Sequence, residues 1–197
     1  EERMKITPEI EEKAHKIRKE NEGKTICVAV GRHTEYKGFT YLIQASKLLD
    51  DKFKIFISGT GELTESLKKE AANDSKITFT GRIEDEDLKA YILACDIFCF
   101  PSITKNEAFG VALAEAMYYG KPAVTFHISG SGVNYVCLDK VSGLEVENRN
   151  VSKYAEALLY LAENKSVRQE YGKNGKQRVL DNFLDKQFKN NIRKVNL

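Results

Sequence analysis

From Lys24 onward the chain alternates short apolar runs with longer segments of helical period. KTICVAV, FKIFIS, KITF, DIFCF, PAVTF and GLEV hold four to seven residues each, short enough for strands and rich in β-branched and aromatic side chains. Between them FTYLIQASKLLD, LTESLKKEAA, EDLKAYILA and AFGVALAEAMYY carry helical periodicity or helix-forming composition. The strands are apolar along their length instead of alternating, which is the pattern of strands buried on both faces. Repeated strand–helix units of this kind predict an α/β fold, a doubly wound parallel sheet of about six strands. After residue 150, VSKYAEALLYLAEN and SVRQEYGKNGKQRVLDNF predict two amphipathic helices, with Gly172 and Gly175 weakening the second. No internal repeat or low-complexity segment interrupts the pattern.

Ahead of the first strand, residues 8–21 predict a charged helix with Thr7 as N-cap and Pro8 at its first position. Its apolar stripe of Ile10, Ala14 and Ile17 is thin, so it is expected to connect to an upstream segment. The expected division is a connector over 1–22, the α/β domain over 23–183 and a helical tail over 184–197. The opening EERMKITPEIEEK contains no apolar signal region and does not begin with Met, so residue 1 is expected to lie inside a longer protein.

Composition narrows the function classes. Against 31 Lys+Arg stand 29 Asp+Glu, a net charge of +2 that argues against a dedicated nucleic-acid binder. At 42% hydrophobic residues a chain of 197 can bury roughly 70% of its unfolded surface. The densest apolar stretch, Tyr91 to Phe100, is cut by Asp96 and is far shorter than the ~20 residues of a membrane span, so no transmembrane segment is expected. Cys27, Cys95, Cys99 and Cys137 form no Cys-x-x-Cys pair, and three lie in apolar runs, the behaviour of buried thiols in a reducing cytosol. His15, His33 and His127 are too scattered for a zinc site, and no metal is expected.

In an open parallel sheet of order 3-2-1-4-5-6 ligands bind beyond the carboxyl ends of the strands, between the first and fourth. That selects two loops, Gly31–Gly38 and Pro101–Gly110, which should face each other. The first offers Arg32 and Lys37 between two glycines, a planar fork and a point charge suited to a diphosphate, or simply a solvated polar loop. The second leads into a helix whose first turn contains Gly110, where an anion can approach N–H groups without intrahelical partners. From Ala108 to Met117 only Glu115 is charged, so it is expected on an otherwise buried segment. It either reaches the crevice to accept ligand hydroxyls or pairs with a lysine. Glu107 lies eight residues earlier, about 12 Å along the helix axis and a span comparable to a nucleoside diphosphate, and it either meets the ligand or complements the helix dipole. Gly59-Thr60-Gly61 reads better as a tight turn than as a phosphate loop. Arg82 and Ile83 after the third strand, and His127 after the fifth, sit on the same rim.

Taken together, VGRHTEYKGFTYLIQA, ISGTGEL, TFTGRIEDEDL, DIFCFPSITKNEAFGVALAEAMYYGKPAV and VSGLEV resemble the carboxyl-terminal, donor-binding domain of family 4 glycosyltransferases of the GT-B architecture, from about Lys24 to Phe183. The most specific element is Glu107 and Glu115 with seven residues between, followed by Gly120-Lys121-Pro122. The resemblance implies that Arg32 and Lys37 bind the donor diphosphate, that Glu107 hydrogen-bonds the transferred sugar and that Gly31 lines the same crevice. The backbone of Ala108, Phe109, Gly110 and Val111 would hold sugar and phosphate oxygens, Glu115 the ribose hydroxyls, and Arg82 and Ile83 would border the base. It further implies a hexosyltransferase working with retention on a UDP- or GDP-linked sugar, without cofactor or metal, on a glycan or lipid-linked acceptor in bacterial surface polysaccharide assembly. Such an enzyme is cytoplasmic or peripheral on the inner membrane face, and its N-terminal acceptor domain lies outside this chain, so this part alone should be inactive. Thr60 stands where an acidic residue is usual, and Gly130-Ser131-Gly132-Val133-Asn134-Tyr135 replaces a Gly-Gly segment ending in Pro-Glu. A sugar-nucleotide epimerase of related architecture, or a non-catalytic nucleotide-binding module, are the alternatives.

Overall fold

The computed structural model describes residues 4–183, so the tail expected over 184–197 lies outside the described residues. Six parallel strands form one sheet: β1 (Thr25–Val30), β2 (Phe53–Ser58), β3 (Ile77–Gly81), β4 (Ile97–Phe100), β5 (Ala123–Phe126) and β6 (Gly143–Val146). Their order is β3-β2-β1-β4-β5-β6, with the direction of winding reversing between β1 and β4, where Cys27 pairs with Ile97 and Val28 with Phe98. β4 and β5 are buried throughout, whereas the edge strand β3 is half-buried along its length. The unbroken apolar runs of the sequence thus mark the centre of the sheet.

Right-handed crossovers divide the helices by the direction of winding. α2 (Phe39–Ser46), α3 (Thr64–Glu70) and α7 (Val151–Glu163) cover one face, where α2 packs on both of the others. α4 (Asp85–Ala94), α5 (Val111–Tyr118) and α8 (Lys165–Asn182) cover the opposite face. α6 (Val133–Val136) is a single turn in a stretch without helical periodicity.

α1 (Pro8–Glu20) begins at Thr7, whose hydroxyl accepts the Ile10 N–H at 3.4 Å, as its sequence predicts. The thin stripe suffices because the surface it meets is small: Ile10 and Ala14 pack on Ala90 and Ala94 of α4 as a separate cluster. α8 runs unbroken through Gly172 and Gly175. A Cβ on Gly172 would lie 2.1 Å from the Gly120 carbonyl oxygen, so glycine there lets α8 lie directly on the turn after α5.

Candidate functional site

The two loops selected by the strand order meet over the carboxyl ends of β1 and β4. Ile103 donates its N–H to the Tyr36 carbonyl at 2.9 Å. Gly38, at φ +65, ends a 3-10 turn over Glu35–Lys37 and begins α2; a Cβ there would lie 2.1 Å from the Pro101 carbonyl oxygen. Only glycine allows both the left-handed turn and this approach.

The turn aims Lys37 across the switch point at Glu107, and the two side chains form an ion pair. Both are nearly enclosed, at 13% and 11% exposure, so the pair is only weakly screened by solvent. The Lys37 ammonium also lies 5.3 Å from the ring centres of Tyr36 and Phe100. Its stem runs over Gly31, where a Cβ would come within 3.2 Å of the lysine Cε. Glu107 is held at three further points. Ser102 donates its hydroxyl to Oε2 at 3.0 Å, the Glu107 N–H donates to the Thr104 carbonyl at 3.0 Å, and Ser131 donates its hydroxyl to the Glu107 carbonyl at 2.5 Å. The Gly132 N–H adds a bond to the Ala108 carbonyl at 2.9 Å, fixing this loop to the one after β5.

α5 begins at Val111, with Gly110 as a left-handed N-cap at φ +83. Among the described residues, none of the N–H groups of Ala108, Phe109, Gly110 and Val111 donates a hydrogen bond. They form a row of donors at the positive end of a helix, a ready cradle for anionic or hydroxyl oxygens.

The expectation of a helix from Ala108 to Met117 buried except at Glu115 is corrected here. Phe109 and Val111 are exposed, the latter at 62%, because the loop stands on the rim. Glu107 lies in that loop rather than on α5, so the 12 Å axial spacing does not apply. Glu115 is half-buried one turn into α5 and faces Asp85, Leu88 and Lys89 of α4. Arg82 is exposed at the head of α4, and Ile83 turns into the groove between α1 and α4 beside Ile17 and Tyr91. The structure therefore brings Gly31, Lys37, Glu107 and the head of α5 together, with Arg32 on the adjoining rim. Glu115 lies on the α4 side, and Ile83 lines a different groove from Glu115.

Gly59 and Gly61 serve the tight turn that the sequence suggested: their Cβ atoms would lie 2.0 Å from the Gly31 oxygen and 2.5 Å from the His33 oxygen. His33 is buried beneath this turn, with Nδ1 3.0 Å from the Thr64 hydroxyl, and burial first, then the charge of Lys68, pulls its pKa below the ordinary value. His127 meets Glu145 at 2.5 Å. Sequence reasoning missed Ser102 and Ser131, whose only signal is adjacency to the ends of β4 and β5. It also missed Asn134, which accepts from the Ile128 N–H at 2.9 Å and donates to the Phe126 carbonyl at 3.1 Å.

Known proteins resemble this chain in sequence and fold. A family model described as glycosyl transferases group 1 matches residues 10–178. The chain is 30% identical over 167 residues to the O-antigen chain mannosyltransferase C of Escherichia coli, covering 84% of this chain and 44% of that protein. It is 32% identical over 167 residues to the D-rhamnosyltransferase WbpZ of Pseudomonas aeruginosa, covering 84% and 43%. The chain thus spans less than half the length of these relatives. Among solved structures, Anabaena Alr3699/HepE in complex with UDP and glucose superposes with a TM-score of 0.85 at 18% identity, over 98% of this chain and 53% of that one. The catalytic domain of a Helicobacter pylori cholesterol-α-glucosyltransferase superposes with a TM-score of 0.71 at 23% identity, over 80% and 99%.

Proposed function

The chain belongs to the group 1 glycosyl transferases, with a sheet that is the Rossmann-like half of the GT-B architecture, and on that footing we propose that it is the donor-binding half of a retaining enzyme of family 4. It takes a UDP- or GDP-linked sugar and serves transfer to a glycan or lipid-linked acceptor in surface polysaccharide assembly. The observation that carries this reading is the Lys37–Glu107 pair beside the four N–H groups at the head of α5. The curated relatives named for mannosyl and rhamnosyl transfer, and the solved relative holding UDP and glucose, support it.

When the bond between the anomeric carbon and the phosphate oxygen breaks, negative charge develops on the departing nucleoside diphosphate. Donors already aimed at that position stabilise it most, because they need no reorganisation. Arg32 supplies a planar fork, Lys37 a point charge and residues 108–111 their N–H groups. Glu107 accepts from a hydroxyl of the transferred sugar. Glu115 accepts from the ribose, and Arg82, exposed at the head of α4, borders the base. Lys37 is neutralised by Glu107 before the donor arrives, so binding must exchange one anion for another. These charges take the part a divalent cation plays elsewhere, so a chelator should leave activity intact. An acceptor-binding half is needed to enclose the sugar and exclude water. The four free, buried thiols, with Cys95 and Cys137 pushed up to about 12 by burial, suit a site of action on the reducing cytoplasmic side.

Calorimetric titration with UDP and GDP tests the reading. One of them should bind, and Glu115→Gln should weaken it about ten- to a hundredfold, the loss of a charge-assisted hydrogen bond. If neither nucleotide binds, the donor-binding role is wrong. With the acceptor half present, NMR of the product should show the anomeric configuration of the donor.

A further inference from the structure

The loop after β5 is built as a clamp on the loop that carries Glu107. Ser131 donates its hydroxyl to the Glu107 carbonyl at 2.5 Å and accepts the Val133 N–H at 3.2 Å, so its one proton is committed to that carbonyl. Gly132 donates its N–H to the Ala108 carbonyl at 2.9 Å. Its φ of −71 is open to any residue, so space alone calls for glycine: a Cβ would lie 2.4 Å from the Ala108 carbonyl oxygen. The clamp is itself anchored. Asn134 holds the Ile128 N–H and the Phe126 carbonyl, Val133 and Val136 are buried, and Arg178 of α8 donates to the Tyr135 and Val136 carbonyls at 2.5 and 3.1 Å.

Two consecutive carbonyls held from one loop decide where the next two N–H groups go. Every peptide bond among the described residues is trans, and in a trans peptide plane the C=O of one residue and the N–H of the next point in opposite directions. The Glu107 carbonyl, facing Ser131, therefore turns the Ala108 N–H away from the loop after β5, and the Ala108 carbonyl, facing Gly132, does the same for the Phe109 N–H. Both N–H groups belong to the open row at the head of α5, and neither donates to a described residue. β1 and β5 flank β4 on opposite sides, so the direction away from the clamp is that of the loop carrying Arg32 and Lys37.

We propose that Ser131 and Gly132 are positioning residues for sugar transfer: through the two peptide planes they grip, they aim the N–H groups of Ala108 and Phe109 at the oxygens of the sugar and its departing phosphate. The inference rests on the function proposed above. Fixed dipoles lower a barrier to the extent that they need not reorient as charge develops. Loosening the clamp therefore costs rate more than ground-state affinity, because a bound diphosphate keeps Arg32, Lys37 and the N–H groups of Gly110 and Val111.

The test uses the enzyme with both halves present and reads kcat, the KM for the sugar nucleotide, and the affinity for UDP and GDP by calorimetry. Ser131→Ala should lower kcat about tenfold, short of the hundredfold or more of losing a hydrogen-bond donor outright, with KM and nucleotide affinity within about threefold. Ser131→Thr, which keeps the hydroxyl, should return kcat to within about threefold of the parent enzyme. Gly132→Ala should slow transfer at least as much as Ser131→Ala, because its Cβ displaces the Ala108 carbonyl. A serine with a merely structural role would lower Tm through the lost Val133 bond and leave kcat unmoved at temperatures well below the transition. The proposal is overturned if kcat measured there stays within about twofold in Ser131→Ala and Gly132→Ala, if Ser131→Thr is as slow as Ser131→Ala, or if nucleotide affinity falls in step with kcat. Failure of UDP and GDP to bind the parent enzyme at all would refute the donor-binding role, whereas normal binding with undiminished kcat in both variants refutes only the clamp.

Discussion

The two ends of the sheet use similar residues to opposite effect. At the amino edge Asp96 and Lys121 close exposed polar ends with partners from the protein itself. Asp96 accepts from both terminal guanidinium nitrogens of Arg18 at 2.7 and 2.5 Å, lies 3.6 Å from Arg168, and also accepts the Ile26 N–H at 2.9 Å. One carboxylate thus ties α1, α8 and β1 together. Lys121 donates to the Leu93 and Cys95 carbonyls at 2.7 and 2.8 Å, closing the end of α4. At the carboxyl rim the N–H groups heading α5 are open, Gly110 and Arg149 hold left-handed conformations, and Val111 is exposed. Charges closed by protein partners at one edge hold the fold together, whereas groups left open at the other are available to a ligand. The Lys37–Glu107 pair belongs to both kinds, because it is enclosed like Asp96 yet stands at the switch point between β1 and β4, where we propose that the donor binds.

The largest expected effect sharpens that point. Glu107→Gln should lower kcat by about a hundredfold or more, as expected for a contact that strengthens at the transition state. Freed from its counter-charge, Lys37 should bind the nucleoside diphosphate as well as before or several-fold better, read by calorimetry. Weaker diphosphate binding in this variant would show that the pair does not compete with the donor.

At the other edge, Asp96→Ala should cost about 3 kcal/mol by leaving two arginines and an N–H without their acceptor. That is the lower end for a broken pair, since Arg18 is 41% exposed and partly solvated. Tm should fall by roughly 6–12 °C in a scanning-calorimetry trace, with nucleotide affinity unchanged below the transition. A loss of nucleotide affinity in the folded variant would break the division between the edges.

The smallest effect concerns His33, buried where the two glycine turns meet. Its pKa is lowered in the fold, so below about pH 6.5 the unfolded chain takes up a proton that the fold resists. Stability should therefore hold above that pH and decline as pH falls below it. His33→Leu should flatten this slope in a Tm-against-pH series, and an unchanged slope would assign it to another group.

Much of the fold is legible in the sequence for a local reason. KTICVAV and DIFCF are apolar at every position because both faces of β1 and β4 are covered, and Thr7-Pro8 marks a helix start through its own side chain and ring. The site is legible only in part. Arg32, Lys37, Glu107 and Gly110 stand out because strand order directs attention to two loops. Ser131 does not, since a serine in a loop carries no periodic signal. α5 begins at Val111 instead of Ala108 because Ala108 and Phe109, though apolar, lie in the loop on the rim, and apolar character does not distinguish an exposed rim from a buried turn.

By itself, then, the sequence determined the six strands and the helices between them, and it pointed to the end of the sheet that carries the candidate site, because burial on both faces and helix capping act between residues near in the chain. The tertiary structure alone decided that Lys37 is held by Glu107, 70 positions away, that Glu115 faces α4, and that Arg149 stands beside Arg32. Those pairings depend on how closely separate loops approach, which glycines such as Gly38 permit but only the packed sheet enforces.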